Sequence, residues 1–240
     1  MLRAVIFDLD GTLIDSTEAI VASMFQMFDV MERTRPLRQA IIDSIGHPLE
    51  VQLTYLTDCP PAHCIPIYRR HYAEHSAAQT FLMPGARETL EALQAAGLRL
   101  AFATSKSRIS AEMLLEHLGV LHFFEARIGP EEVQHTKPHP EAVLRALEAL
   151  EVGPNDAIFV GDMSFDVLAG AAAGVRTLAV ATGYATRQEL EALQPEAVFD
   201  SLLQVGDYVL NLVRKCSDIG QERVISEVRG APERGCVSSR

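Results

Sequence analysis

The sequence predicts an α/β fold, in which a Rossmann-like parallel sheet carries an all-helical domain inserted after the first strand. Val5–Phe7 is a short apolar run near the start of the chain. From residue 82 onward, similar runs such as Ala157–Gly161 alternate with helical patterns. Strands buried on both faces of a parallel sheet form uninterrupted apolar runs, and their alternation with helices implies right-handed crossovers. Residues 15–81 instead keep helical spacing without a convincing strand.

These patterns divide the chain into a core of residues 1–14 and 82–215, a helical cap domain of residues 15–81, and a C-terminal tail of residues 216–240. Periodicity fades in the tail, so we expect it to be flexible, with a short helix near Glu222–Val228. The cap helices are predicted at Thr17–Met31, Pro36–Ile45, Leu49–Leu56 and 62–78. The core helices are predicted at Ala86–Ala96, Ser110–Leu118, Pro140–Leu150, Asp166–Ala173, Arg187–Leu193 and Leu202–Val213, and the later strands at Leu98–Thr104, Phe124–Ile128, Ala157–Gly161, Val175–Ala181 and Ala197–Phe199.

Composition and charge narrow the functional classes. The 240 residues carry a formal net charge of -11, which argues against nucleic acid or an anionic membrane as the main partner. No apolar run approaches the roughly 20 residues of a membrane span, and no signal-peptide pattern opens the sequence. The four cysteines form no CxxC pair, so we expect reduced thiols and no zinc site. The expectation is a cytoplasmic protein, monomeric or homodimeric, that acts on a small molecule.

The first strand ends in two carboxylates, Asp8 and Asp10, before Gly11 turns the chain. In open α/β sheets, ligands bind just beyond the carboxyl ends of the strands. Two acids this close repel each other unless a cation lies beside them, and Mg²⁺ favours such oxygen ligands. An aspartate can itself attack phosphorus. An ordinary strand end followed by an Asp-Gly turn is the alternative, and for this motif alone it is favoured.

Three later strand ends carry the other residues that a phosphoryl-transfer site needs. Thr104 and Ser105 offer hydroxyl and turn N–H groups for a phosphate oxygen. Lys137 offers a compact positive charge, and the two prolines that follow it restrict the backbone. Asp162 follows a buried strand, and Asp166 lies at the start of the next helix. Each residue has an ordinary alternative as a helix cap or a solvated loop side chain. Their occurrence at successive strand ends favours one shared site.

The segments DLDGTLIDS, ATSKS, TKPHP and GDMSFD resemble the four motifs of the haloacid dehalogenase superfamily. Motif order and intervals agree as well as motif identity, and the resemblance runs from residue 1 to about residue 210. The insertion after the first motif resembles the helical cap of the branch that includes phosphoglycolate phosphatases and β-phosphoglucomutases. One departure is Met163, where many relatives have serine or threonine.

The resemblance also implies roles for the site residues. Asp8 would be the nucleophile, and Asp10 would be the general acid and base whose backbone carbonyl also binds Mg²⁺. Lys137 would stabilise charge, and the phosphate would be bound by Thr104 together with Ser105 and Gly11. The metal ligands would be Asp8, Asp10, Asp162 and Asp166.

The function expected from residues and resemblance is a Mg²⁺-dependent phosphatase that hydrolyses a small phosphorylated metabolite through an aspartyl-phosphate. Phosphoglycolate is the default substrate of the resembling branch. A phosphomutase of the β-phosphoglucomutase type and an inorganic pyrophosphatase are the enzymatic alternatives. The alternative from another class is a regulatory or scaffold protein with a vestigial site, against which the intact acids and lysine argue.

The cap is expected to select the substrate and to close over the site. Gly46-His47-Pro48 forms a fixed loop that a helical bundle does not need, so His47 is a candidate substrate-binding residue. Arg69, Arg70 and His71 lie on one predicted helix, and of these we predict Arg70 to bind substrate. Exposure to solvent is the alternative for both arginines.

Overall fold

The computed structural model describes the backbone of residues 2–229 and the side chains of residues 2–215. In this part of the chain, a six-stranded sheet has the order β5-β4-β1-β6-β7-β8, and all of its neighbouring strands are parallel. A separate two-stranded sheet pairs β2 with β3. The strands are β1 (Ala4–Phe7), β2 (Ile14–Asp15), β3 (Phe81–Leu82), β4 (Arg99–Ala103), β5 (Phe124–Ile128), β6 (Ala157–Gly161), β7 (Arg176–Val180) and β8 (Ala197–Phe199). The predicted α/β class is confirmed.

Strand β1 lies at the point where the chain changes direction across the sheet. The chain runs from β1 to β4 and β5 on one side, and then crosses back to β6 on the other. In open α/β sheets, this switch point opens a crevice beyond the strand ends. All four residues of β1 are buried, and Ile6 lies level with Ala101 of β4 and Phe159 of β6.

The helices cover both faces of the sheet because side chains alternate along each strand. Val5 and Phe7 face one apolar cluster, which includes Leu90, Leu114 and Val205 from three core helices. Ala4 and Ile6 face a second cluster on the opposite side. The helices are α1 (Thr17–Val30), α2 (Arg38–Ser44), α3 (Leu49–Leu56), α4 (Pro61–His75), α5 (Ala86–Ala95), α6 (Arg108–His117), α7 (Glu141–Ala149), α8 (Ser164–Ala172), α9 (Arg187–Ala192) and α10 (Leu202–Arg229).

Helices α1 to α4 form a helical insertion between β2 and β3. The two connections to the core run side by side as an antiparallel pair, with Ile14 opposite Leu82 and Asp15 opposite Phe81. The sequence did not predict these strands, because two residues are too few to show a period of two. The pairing means that the insertion leaves and re-enters the core at one place.

Two helix ends differ from the sequence prediction by three residues or more. Helix α4 ends at His75 and is followed by a 3₁₀ turn over Ser76–Gln79, rather than continuing to residue 78. The predicted end of the last helix at Val213 is wrong, because α10 continues to Arg229. Residues 214–229 contain no proline and one glycine, so nothing in the sequence forces the helix to stop. Residues 230–240 of the expected tail lie outside the described part, and the flexibility of the tail stays a prediction.

Among the described residues, no helix combines the length and the apolar character that crossing a bilayer requires. Cys59 and Cys64 are both free thiols.

Candidate active site

Four neighbouring strand ends bring the predicted acids, hydroxyl and lysine to one edge of the sheet. Asp8 follows β1, Thr104 follows β4, Lys137 lies in the loop after β5, and Asp162 follows β6. All four side chains are buried. Because the carboxyl ends of parallel strands share an edge, residues far apart in the sequence meet there.

Lys137 lies between two carboxylates. Its Nζ is 2.7 Å from Asp8 Oδ1 and 2.6 Å from Asp166 Oδ1. Burial alone would lower the pKa of this ammonium group, but the carboxylates of Asp166 and Asp8 outweigh burial and raise the pKa above its usual range. Lys137 is therefore a fixed positive charge beside the proposed nucleophile.

The surrounding acids carry more negative charge than one lysine neutralises. Burial raises the pKa of Asp8 to about 7, against the lowering effect of Lys137 and with a further contribution from Asp166. Burial, together with Asp166 and Asp8, also holds the pKa of Asp162 well above its usual range. Ligand oxygens of Asp8, Asp162 and Asp166 lie within 4.8 Å of one another. This buried set of oxygen donors fits a divalent cation such as Mg²⁺.

Backbone and hydroxyl donors fix the orientation of Asp162. Thr12 Oγ1 donates to one carboxylate oxygen at 2.8 Å, and the Tyr184 backbone N–H donates to the other at 3.0 Å. The two contacts come from different loops, so the loops after β1 and β7 both position this acid. Space for the carboxylate depends on two glycines, since an added Cβ would lie 2.2 Å from Asp162 Oδ2 at Gly11 and 1.8 Å at Gly183.

Asp166 caps α8 and also pairs with Lys137. Its Oδ2 accepts a hydrogen bond of 3.0 Å from the Met163 backbone N–H, while its Oδ1 contacts Lys137. The helix-cap alternative and the site interpretation therefore both describe this residue. Because the contact with position 163 uses the backbone, methionine at this position leaves it intact.

The Asp10 carboxylate has a different set of partners. One oxygen accepts a hydrogen bond from Ser16 Oγ, and the other lies 3.1 Å from Lys106 Nζ. Lys106 was not predicted as a site residue. Its only sequence signal was its place directly after Thr104 and Ser105. The predicted contact of the Asp10 backbone carbonyl with Mg²⁺ stays a prediction.

A cavity of about 290 Å³ extends from Asp8 and Asp10 to the helical insertion. Ser105 lines it, and the Ser105 hydroxyl is buried without a hydrogen-bond partner among the described residues. Thr104 also lines it, and its Oγ1 accepts a hydrogen bond from the Lys106 backbone N–H at 3.2 Å. The remaining lining comes from the insertion residues Ile20, Ile45, Gly46, His47, Leu49, Glu50, Gln52, Tyr68, Arg69 and Tyr72, and from Lys106, Ser107, Ser110, Pro130 and Glu131 of the core.

The predicted cap residues differ in whether they line the cavity. His47 lines the cavity with its ring centroid 4.6 Å from that of Phe165, and burial lowers its pKa. Arg69 and Arg70 are both exposed, but Arg69 lines the cavity and Arg70 is not among the described lining residues. The substrate-binding role predicted for Arg70 stays a prediction, and the cavity lining favours Arg69. Adjacent helical residues point about 100° apart, and the sequence did not show which of them faced the cavity.

Gly11 is also not among the described residues that line the cavity. It is buried against Asp162 with a φ of 85°, a left-handed conformation that favours glycine. Its position makes room for Asp162, and the prediction that Gly11 binds phosphate stays a prediction.

We expect Gly11→Ala to destabilise the protein more than Gly97→Ala, by at least about 1 kcal/mol in the free energy of unfolding. Both glycines have positive φ, but an added Cβ at Gly97 meets no heavy atom within 4 Å. The control therefore isolates the collision with Asp162 from backbone strain. Urea denaturation measures both variants, and equal losses would contradict this account of Gly11.

Comparison with known proteins agrees with this geometry. Residues 5–180 match the family model described as haloacid dehalogenase-like hydrolase. The chain is 31% identical over 201 residues to the pyrophosphatase PpaX of Bacillus mycoides, an alignment that covers 84% of this chain and 94% of the relative. It is 31% identical over 226 residues to phosphoglycolate phosphatase of Escherichia coli, covering 84% of this chain and 90% of the relative.

Among solved structures, a haloacid dehalogenase-like family hydrolase from Streptococcus pneumoniae superimposes with a TM-score of 0.78. It is 28% identical and covers 87% of this chain and 98% of its own. The family resemblance drawn from the four motifs is confirmed, as is the expectation of an enzyme of the phosphatase-containing hydrolase class. The chain belongs to the haloacid dehalogenase-like hydrolase family.

Proposed function

We propose that this protein is a Mg²⁺-dependent phosphatase that hydrolyses a small phosphorylated molecule through an aspartyl-phosphate on Asp8. The observation that carries the proposal is the buried contact between Lys137 and Asp8, which lines a small cavity. The names of the two relatives, a pyrophosphatase and a phosphoglycolate phosphatase, support a small phosphorylated substrate. We do not expect nucleic acid or a membrane to be a partner, given the net charge of -11.

In the first step, the Asp8 carboxylate attacks phosphorus and the bond from phosphorus to the leaving oxygen breaks. Lys137, 2.7 Å from Asp8, stabilises negative charge on the transferring group. Asp10 gives its proton to the leaving oxygen. In the second step, Asp10 takes a proton from water, the resulting oxygen attacks phosphorus, and the Asp8 carboxylate is released with inorganic phosphate.

Asp8, Asp162 and Asp166 would hold Mg²⁺, with the Asp10 backbone carbonyl as a further proposed ligand. When bound, the cation neutralises charge on the phosphoryl oxygens and offsets repulsion among the acids. Thr12, Tyr184 and the α8 cap keep Asp162 and Asp166 oriented toward this position.

The cavity volume favours a substrate with few atoms outside its phosphoryl group. About 290 Å³ is at the lower end of the range for small-molecule sites. Phosphoglycolate and pyrophosphate are both of this kind. The intact contacts of Asp8 and Lys137 argue against a scaffold protein with a vestigial site.

The Asp8→Asn variant tests the nucleophile. We expect turnover to fall at least about 10³-fold, or roughly 4 kcal/mol, because an amide cannot attack phosphorus. The control is Asp43→Asn, the same change at an exposed position on α2. Activity of each variant is measured on a panel of small phosphate esters with Mg²⁺ present. An Asp8→Asn variant within tenfold of wild type would rule out this nucleophile.

Mg²⁺ affinity should depend on pH. Because the pKa of Asp8 is raised to about 7 without metal, a proton competes with the cation below that pH. One such proton weakens apparent Mg²⁺ binding about tenfold between about pH 8 and about pH 6, with little change above about pH 8. Calorimetric titration at each pH measures the apparent Mg²⁺ affinity. The Asp8→Asn variant should lack the part of the pH dependence that comes from the Asp8 proton. The same affinity at both pH values would contradict the prediction.

Substitution of two adjacent arginines tests whether the residues that line the cavity bind substrate. Arg69 lines the cavity and lies 3.7 Å from Glu50, whereas the adjacent Arg70 is not among the described lining residues. We expect Arg69→Ala to raise KM for an anionic substrate by about threefold to tenfold with little change in kcat, because it removes a charged contact. Arg70→Ala should match wild type. Equal kinetics of both variants on every substrate would contradict a substrate-facing role for Arg69.

A further inference from the structure

Lys106 connects Asp10 to the helical insertion. Its side chain is 7% exposed, and its Nζ lies 3.1 Å from Asp10 Oδ2. The same Nζ donates to the Tyr72 hydroxyl at 2.8 Å and lies 4.8 Å from the centre of the Tyr72 ring. Asp10 belongs to the core, and Tyr72 is in α4 of the insertion. One ammonium group thus contacts both.

These contacts leave Asp10 with a fixed partner on each carboxylate oxygen. Ser16 Oγ donates to Oδ1, and Lys106 holds Oδ2. A buried lysine is stable only with such partners, and two of its three N–H donors are directed to Asp10 and Tyr72. The Tyr72 ring is itself buried and stacks on Tyr68, which limits where its hydroxyl can lie. The position of Lys106 therefore depends on where α4 lies.

We propose that Lys106 is a positioning residue for Asp10, and that Tyr72 makes this positioning depend on the insertion lying against the core. The inference rests on the proposed phosphatase function, in which Asp10 transfers the proton. Movement of α4 away from the core removes the Tyr72 contact, so Lys106 and the Asp10 carboxylate lose their fixed arrangement. Proton transfer is then efficient only while the cavity is covered, when bulk water is excluded from the substrate.

The cavity lining also allows a different role for Lys106, as a contact for a second anionic group on the substrate. The two roles predict different kinetics. A positioning residue for the general acid affects substrates according to how much their leaving group needs a proton. A contact for a second anion affects substrates according to whether they carry that anion. Leaving group and second charge can be varied independently.

The experiment compares kcat/KM of wild type and Lys106→Met on p-nitrophenyl phosphate, on a simple alkyl phosphate and on phosphoglycolate, all with Mg²⁺. Nitrophenolate is a stable anion and leaves without being protonated, whereas an alkoxide leaving group needs a proton from a general acid. We expect kcat/KM to fall at least about tenfold more on the two alkyl substrates than on p-nitrophenyl phosphate. Lys106→Arg should restore part of the loss, because it keeps the charge.

Tyr72→Phe provides an independent variant with a smaller change. It should show the same dependence on leaving group, with about a threefold difference between the alkyl and aryl substrates. Tyr208→Phe is the matched control, because it also removes a hydroxyl bonded to a charged group, Glu196 at 2.6 Å, but lies on α10. We expect its kinetics to equal those of wild type.

Equal losses on alkyl and aryl substrates would overturn the proposal in favour of a purely structural role. A rise in KM confined to phosphoglycolate would overturn it in favour of a second-anion contact. If Lys106→Met does not fold, the leaving-group dependence of Tyr72→Phe decides the proposal, and its absence overturns it. Wild-type protein without phosphatase activity on any substrate would refute the proposed function itself, a result distinct from these.

Discussion

The site depends on the burial of three carboxylates around one lysine. Asp8 and Asp166 both contact the Lys137 ammonium, while Asp162 is held by N–H and O–H donors instead. Buried charges are stable only when paired and hydrogen bonded, so the arrangement constrains its surroundings. This constraint explains why glycine is needed at position 11 and why loop residues donate hydrogen bonds to Asp162. Negative charge in excess of the single lysine is the physical basis for expecting a divalent cation.

The helical insertion is linked to this acidic cluster by polar contacts at its edges. Tyr184 donates its backbone N–H to Asp162, and its hydroxyl lies 3.1 Å from Thr17 Oγ1 at the start of α1. Lys106 makes the corresponding link from Asp10 to Tyr72 in α4. The insertion is thus in contact with groups that orient two of the acids. The insertion also lines the cavity. Its position therefore affects both the enclosure of substrate and the orientation of Asp10 and Asp162.

The sequence predicted the features that depend on local pattern. Buried strands followed directly by Asp8 and Asp162 gave both the fold class and the position of the acids, since parallel strand ends share an edge. It could not predict features that depend on packing between distant segments. The choice between Arg69 and Arg70 required the orientation of α4, and the role of Lys106 required the position of Tyr72. Helix α10 extends past Val213 although its apolar period fades there.

The most direct test of the central claim is to locate the phosphoryl group on the enzyme. In the Asp10→Asn variant, an aryl phosphate still transfers its phosphoryl group without a general acid, while hydrolysis lacks its general base, so the intermediate accumulates. Acid quenching followed by peptide mass spectrometry then locates the adduct. The account predicts a hydroxylamine-labile phosphoryl group on Asp8 in the peptide that contains residues 4–15. A phosphoryl group on any other residue would contradict it, as would release of phosphate in this variant with no adduct at any time.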